Sequence, residues 1–413
     1  VGEGKFTLAD ENGRWRVEMP KLAAGGPYTL TVEGKNKLVV NDVLIGEVWL
    51  GSGQSNMAML VRACKDVEKE LADAQYPQIR VFTEKSGPQM EPSDECEGSW
   101  VVCSPETAGA FSATAYFFGR EIHKQLKFPV GLINSSVGGT PIESWIAADA
   151  QRAEPKLKGF FDAVDAANAE YDEAKALANY EKQYAKWKLD AAARKAAGKP
   201  PAAAPRNPVE ARKRKGDIGG LFNGKIAPLV GYGIRGALWY QGEANTTDIK
   251  KSYYETQLPL LVSDWRKKWG QGDFPFAWAQ LPNFARAGDG WMIVRDAMRK
   301  TLSVPNTGMA ITIDVGDPKD IHPKNKQEVG RRLALWALAE VYGSKGPASG
   351  PLPTGQTASG DGLVVKFDHA AGLKPRGGFE LAGRGCFTDQ GQDDHVGVCS
   401  VCLEGAHLSL IHI

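Results

Sequence analysis

The stretch "VWLGSGQSNM", residues 48–57, decides how the chain is read. An apolar run passes into Gly51, Ser52 and Gly53, and Ser55 follows at once. Apolar runs without alternation suit a parallel strand covered on both faces. The glycines open backbone angles closed to other residues, so the chain can turn sharply and expose a serine just past the strand. The carboxyl edge of an open α/β sheet is also where such folds gather their reactive groups. Short Gly/Ser stretches are more often plain polar loops, so a hydrolytic reading of Ser55 requires a partner base elsewhere in the chain.

Outward from this point the texture repeats. "IRVFT", "PVGLINSS", "IRGALWYQG", "PFAWAQL" and "TGMAITIDVGD" read as further buried strands, and they alternate with helix-like stretches such as "SATAYFFGREIHKQL" and "QEVGRRLALWALAEVYG". Strand–helix alternation predicts an α/β sandwich built on a parallel sheet. Before it, "KFTLAD" and "RWRVEMP" alternate apolar and polar residues around Asn12-Gly13, a two-residue hairpin signal, and "YTLTVEG" and "KLVVNDVLIG" continue the pattern. Residues 1–42 are expected to be part of a β module and 43–345 the catalytic domain. Within the latter, about 152–215 reads as a helical insertion: Phe160, Val164, Ala167, Tyr171, Ala174, Leu177, Tyr180, Tyr184 and Trp187 recur three or four apart, ahead of a Pro/Ala linker and the basic run "ARKRK". Residues 346–413 read as a C-terminal β segment whose last twenty or so residues lack the texture of the rest and look artefactual.

Composition removes several functions. Lys plus Arg (50) balance Asp plus Glu (49), so no overall field gathers nucleic acid or an anionic membrane. No apolar run approaches the roughly 18 residues of a membrane span. No metal constellation stands out, and the single Cys399/Cys402 CxxC pair lacks a second ligand pair, so neither metal nor cofactor is expected. The chain begins at Val1 rather than at an initiator Met, so any secretion signal is expected to lie outside this sequence.

Six histidines permit elimination. His123 falls inside a helix pattern, His369 follows a late strand, and His395, His407 and His412 lie in or near the doubtful tail. His322 remains, in "IDVGDPKDIHPKNKQEVG", where a strand ends in acidic residues and a loop before a helix. A nearby aspartate can fix the imidazole tautomer so that its other nitrogen takes a proton from serine.

The blocks "GEVWLGSGQSNM", "INSSVGGTPIESW", "LFNGKIAPL", "GALWYQGEAN" and "DIHPKNKQEVGRRLALWAL" together resemble, in order, the motifs of the sialate O-acetylesterase family, a branch of the SGNH (GDSL-like) hydrolases, over about residues 1–385. The resemblance implies an SGNH-like three-layer sandwich and a serine carbohydrate esterase. It implies Ser55 as nucleophile, His322 as base and acid, and Asp320 as the orienting carboxylate. The common Asp-x-x-His spacing would need an acid at 319, where Lys319 stands, so Asp317 is held in reserve. It further implies an oxyanion hole from the Ser55 N–H, the Gly139 (or Gly138) N–H and the Gln241 amide, with Asn245 the lesser alternative and Glu243 bracing the site. Trp145, Trp239, Tyr240 and Trp278 are read as core in the main rather than as sugar platforms.

Acetylated sugar or glycan is thus the expected partner, with acetylxylan or another acetylated polysaccharide as alternatives to sialic acid. A carbohydrate-binding protein without turnover is the competing class. Export from the cytoplasm follows from the resemblance, and the sequence sets no oligomeric state.

Overall fold

The computed structural model describes residues 4–20, 22–210, 218–247, 249–359, 362–369, 385–388 and 400–403. Its centre is a seven-stranded sheet built from β3 (Glu47–Gly53), β4 (Ile79–Thr83), β5 (Trp100–Val102), β6 (Val130–Ser136), β7 (Gly236–Tyr240), β8 (Phe276–Ala279) and β9 (Thr307–Ala310), in the spatial order β5-β4-β6-β3-β7-β8-β9. Every pairing is parallel except the short edge strand β5 against β4. The α/β sandwich expected from the alternation of strand and helix patterns is therefore what the chain forms.

The uninterrupted apolar runs are explained by cover on both faces. Along β3, Trp49 enters the core on one side and Leu50 the core on the other, as do Leu132 and Ile133 on β6 and Leu238 and Trp239 on β7. One face is covered by α3 (Ala113–Leu126) and α9 (Lys326–Trp336), whose Phe117, Phe118, Leu333 and Trp336 pack with Trp49. The other is covered by α7 (Lys250–Trp269) and α8 (Asp289–Lys300), whose Trp265, Trp269 and Trp291 join Trp239 and Trp278. The short helices α1 (Ser55–Ala58) and α2 (Val67–Ala72) follow β3, and α4 (Ala148–Arg152) follows the β6 loop. Trp145, Trp239, Tyr240 and Trp278 are all fully buried, which makes them core.

Register places the site. Gly53 at the end of β3 pairs with Ser136 at the end of β6 and with Tyr240 at the end of β7. Three loops, beginning at Gln54, Val137 and Gln241, therefore leave the sheet side by side at its carboxyl edge.

Two expectations are corrected. The Asn12-Gly13 turn is present, with the Gly13 N–H donating to Asp10 O, yet residues 4–20 form no strands. Phe6, Leu8 and Trp15 are exposed, and no second layer covers them among the described residues; a ribbon without a packed face is marginal. The next expected pair does form, as the antiparallel hairpin β1 (Gly25–Glu33) and β2 (Lys37–Ile45). The insertion is helical but divided into α5 (Lys158–Ala169) and α6 (Glu173–Ala196). Phe160 and Phe161 of α5 bury against the body, whereas α6 buries nothing and stacks Tyr180, Tyr184 and Trp187 on one another. The basic run that follows, and His395, Cys399, His407 and His412, lie outside the described residues. At the C-terminal side, β10 (Leu352–Ser359) and β11 (Gly362–Asp368) pair antiparallel.

Candidate active site

Ser55 opens α1 directly after the end of β3. Gly53 has φ +135°, and a Cβ there would stand 2.2 Å from Tyr240 O, so only glycine lets β3 approach β7 this closely while the chain turns. The Gln54 N–H donates to Tyr240 O at 2.9 Å, and the Val137 N–H to Gly53 O at 3.0 Å, tying the turn to both neighbouring strands. Its position is thereby set by the sheet itself.

His322 arrives from the other end of the chain, in the loop between β9 and α9. Its Nε2 lies 2.8 Å from Ser55 Oγ, across 267 residues of sequence. The loop ends where Asn325 caps α9, its side chain accepting from the Glu328 N–H. Asn-x-x-Glu is a helix-start pattern, and it fixes where the histidine loop stops. Burial holds the His322 pKa below its ordinary value, with the Asp320 carboxylate raising it and the Lys326 ammonium lowering it. The imidazole is thus neutral near pH 7, which is the form able to accept a hydroxyl proton.

Asp320 is the carboxylate nearest the ring, at 3.8 Å from Nδ1. That is ion-pair range and too long for a hydrogen bond. Its Oδ1 accepts the His322 backbone N–H at 2.9 Å instead, so it shapes the loop as well as facing the ring. Asp317 Oδ1 accepts the Lys319 N–H.

Gly138 and Gly139 stand beside the serine. A Cβ on Gly138 would lie 3.5 Å from Ser55 Cβ, and Gly139 has φ +72°, a left-handed turn residue. Gln241 is fully buried, and its Nε2 donates to Thr140 O at 3.1 Å and to Asn245 Oδ1 at 2.7 Å, while Tyr254 OH donates to its Oε1. Both amide hydrogens are committed, so the side chain expected as a free oxyanion donor acts here as a brace on the turn after Gly139. Asn245 is occupied likewise: its Oδ1 also accepts the Ile142 N–H and its Nδ2 donates to Glu143.

Glu243 is buried, and burial raises its pKa. Its Oε1 accepts from Asn56 Nδ2 at 2.5 Å. Asn56 Oδ1 in turn accepts from Lys326 Nζ at 2.7 Å. Neither Asn56 nor Lys326 was singled out in the sequence, where a lysine at the start of an amphipathic helix reads as solvated. One signal was available: a cation in the first helical turn opposes the helix dipole.

Competing nucleophiles are weak. Cys64, Cys96 and Cys103 are free thiols, and burial pushes Cys64 and Cys103 up to about 11, leaving them protonated near neutrality.

A largely parallel sheet with a hydroxyl and an imidazole in contact at its carboxyl edge is an arrangement suited to α/β hydrolases. Residues 224–339 match the family described as carbohydrate esterase, sialic acid-specific acetylesterase. The chain is 32% identical to a sialate O-acetylesterase of Mus musculus over 387 residues, 84% of this chain and 67% of the relative. The human sialate O-acetylesterase is 29% identical over 377 residues, 82% of this chain and 63% of that relative, so the chain spans about two thirds of these proteins. A crystal structure of a carbohydrate acetylesterase from Xanthomonas citri superposes with a TM-score of 0.75 at 30% identity, covering 96% of this chain and 81% of that one. The chain belongs to the sialate O-acetylesterase family of carbohydrate esterases.

Proposed function

We propose that the chain is a serine esterase that removes O-acetyl groups from sialic acid or a related sugar through an acetyl-enzyme. The observation that carries the mechanism is the 2.8 Å contact between Ser55 Oγ and His322 Nε2. In this reading Ser55 Oγ attacks the acetyl carbonyl carbon while His322 takes its proton. The tetrahedral oxyanion faces the Ser55 and Gly139 N–H groups, with Gln241 holding the turn that aims the second. Collapse breaks the ester bond, and the sugar oxygen leaves with the proton from His322. A water then gives a proton to His322 and attacks the acetyl carbon; acetate leaves and Ser55 recovers its proton. Asp320 steadies the imidazolium formed in each half.

The sugar is supported by the relatives, whose names specify sialate and carbohydrate acetyl esters. We assign this chemistry to residues 43–345. Substrates of this kind are largely carried on exported glycans, so we also place the enzyme's action outside the cytoplasm. No helix among the described residues is long and apolar enough to cross a membrane.

The test is acetate release by the chain and its Ser55→Ala variant from O-acetylated sialic acid, acetylated xylan and a small aryl acetate. Release from the sialic acid, lost in Ser55→Ala, is the expected result. Release from xylan alone would replace the substrate, and no release from any of the three by the folded chain would favour a binding protein.

A further inference from the structure

Beneath the Ser55–His322 pair runs a polar chain that the proposed chemistry does not use. Asn56 follows the serine and is wholly buried, as is Lys326, four residues beyond the histidine. Every polar atom of the Asn56 side chain is engaged. Nδ2 donates to Glu243 Oε1 at 2.5 Å and to Ile321 O at 3.1 Å, and Oδ1 accepts from Lys326 Nζ at 2.7 Å. Lys326 Nζ also donates to Pro323 O at 2.7 Å and lies 5.4 Å from the centre of the Tyr240 ring.

The partners of this chain are informative. Ile321 and Pro323 flank His322, and both of their carbonyls are held, one by Asn56 and one by Lys326. Glu243 belongs to the loop after β7, so the Asn56 amide ties the serine turn, the β7 loop and the Ile321 side of the histidine to each other, and Lys326, bonded to the same amide, adds the Pro323 side. The amide has a single orientation that satisfies a cation on its oxygen and a carboxylate on its nitrogen. A buried lysine in the first turn of a helix is disfavoured by desolvation and by the dipole together, so packing alone gives no reason for it. Burial lowers its pKa to about 7.

We propose that Asn56 and Lys326 are positioning residues that, with Glu243, lock the His322 loop against the Ser55 turn and hold the reacting pair at hydrogen-bond distance. The inference rests on Ser55 and His322 being that pair. The lock acts on the geometry of proton transfer, so its loss is expected to fall on kcat and to spare KM. Displacement of reacting groups by about 1 Å costs roughly 10²-fold in rate.

The test uses the full chain with a small aryl acetate, rates being expressed per folded chain, with folding checked by circular dichroism. Lys326→Met strands the Glu243 carboxylate in the interior, and kcat is expected to fall roughly 10²-fold with KM within about twofold. Should that variant fail to fold, the double variant Lys326→Met/Glu243→Gln buries no unpaired charge and keeps an acceptor for Asn56; a loss of roughly tenfold in kcat is expected there. An unchanged kcat in either folded variant, or a loss that appears in KM, overturns the proposal. Ser55→Ala in the same assay separates the two claims: full activity in that variant defeats the assignment of the pair, whereas an inactive Ser55→Ala beside a fully active Lys326→Met defeats the lock alone.

Discussion

At the scale of single residues, the proposed reactivity rests on keeping an imidazole neutral next to a hydroxyl. Burial lowers the His322 pKa, Asp320 raises it and Lys326 lowers it. The base must be unprotonated, so kcat/KM is expected to stay level from neutral pH to below the ordinary 6.5 and to fall as pH drops through the lowered value. Asp320→Asn removes the raising influence, so this acidic limb moves to lower pH; Lys326→Met removes a lowering one and moves it to higher pH. A pH–rate profile of each variant checks both directions, and shifts of the opposite sign would contradict the electrostatic account. At 3.8 Å and half exposed, Asp320 makes a looser partner than a hydrogen-bonded triad acid. Its replacement by Asn is therefore expected to cost roughly 10–10² in kcat, well short of the roughly 10⁴ seen where that bond is tight. The contact of Ser55 with His322 could be anticipated from the sequence because the serine follows a glycine-bounded strand and histidines are few. The roles of Asn56 and Lys326 could not, because they depend on a contact between segments about 270 positions apart.

At the scale of elements, the site depends on two close approaches. Gly53 brings β3 against β7, and Gly330 brings α9 against α3, where a Cβ would lie 2.6 Å from Phe118 N. Gly53→Ala forces a φ of +135° on a residue with a side chain, costing on the order of 1–3 kcal/mol in strain before the clash with Tyr240 O is counted. Gly330→Ala is an overpacking change on the order of 1–3 kcal/mol. Because α9 carries the histidine loop, this variant is expected to lower kcat as well as Tm; thermal unfolding and aryl-acetate kinetics measure both, and a Tm loss without a rate loss would uncouple helix packing from the site. The strands were readable because burial on both faces leaves apolar runs with nothing to interrupt them. The Asn12-Gly13 hairpin misled because turn chemistry is local, whereas strands need a face to pack against, and Phe6 and Leu8 have none among the described residues.

At the scale of the whole molecule, a sandwich covered on both faces holds the site, while no residue of α6 is buried. Periodicity in the insertion was legible as helix; that Phe160 and Phe161 bury in a core cluster while Tyr180, Tyr184 and Trp187 stack on one another could not be read from spacing, which reports a stripe and says nothing of its partner. Replacing residues 171–206 by a flexible linker is expected to leave Tm within a few degrees and kcat on an aryl acetate unchanged, and a large drop in either would show that α6 supports the catalytic body. The central claim is that the fold joins Ser55 and His322, 267 residues apart, into one reactive pair. The most direct measurement is peptide mapping of the chain after a fluorophosphonate, run beside His322→Ala. Stoichiometric label on Ser55, lost in His322→Ala together with acetate release, is the expected result; label on another residue, or undiminished labelling of Ser55 without His322, would contradict it.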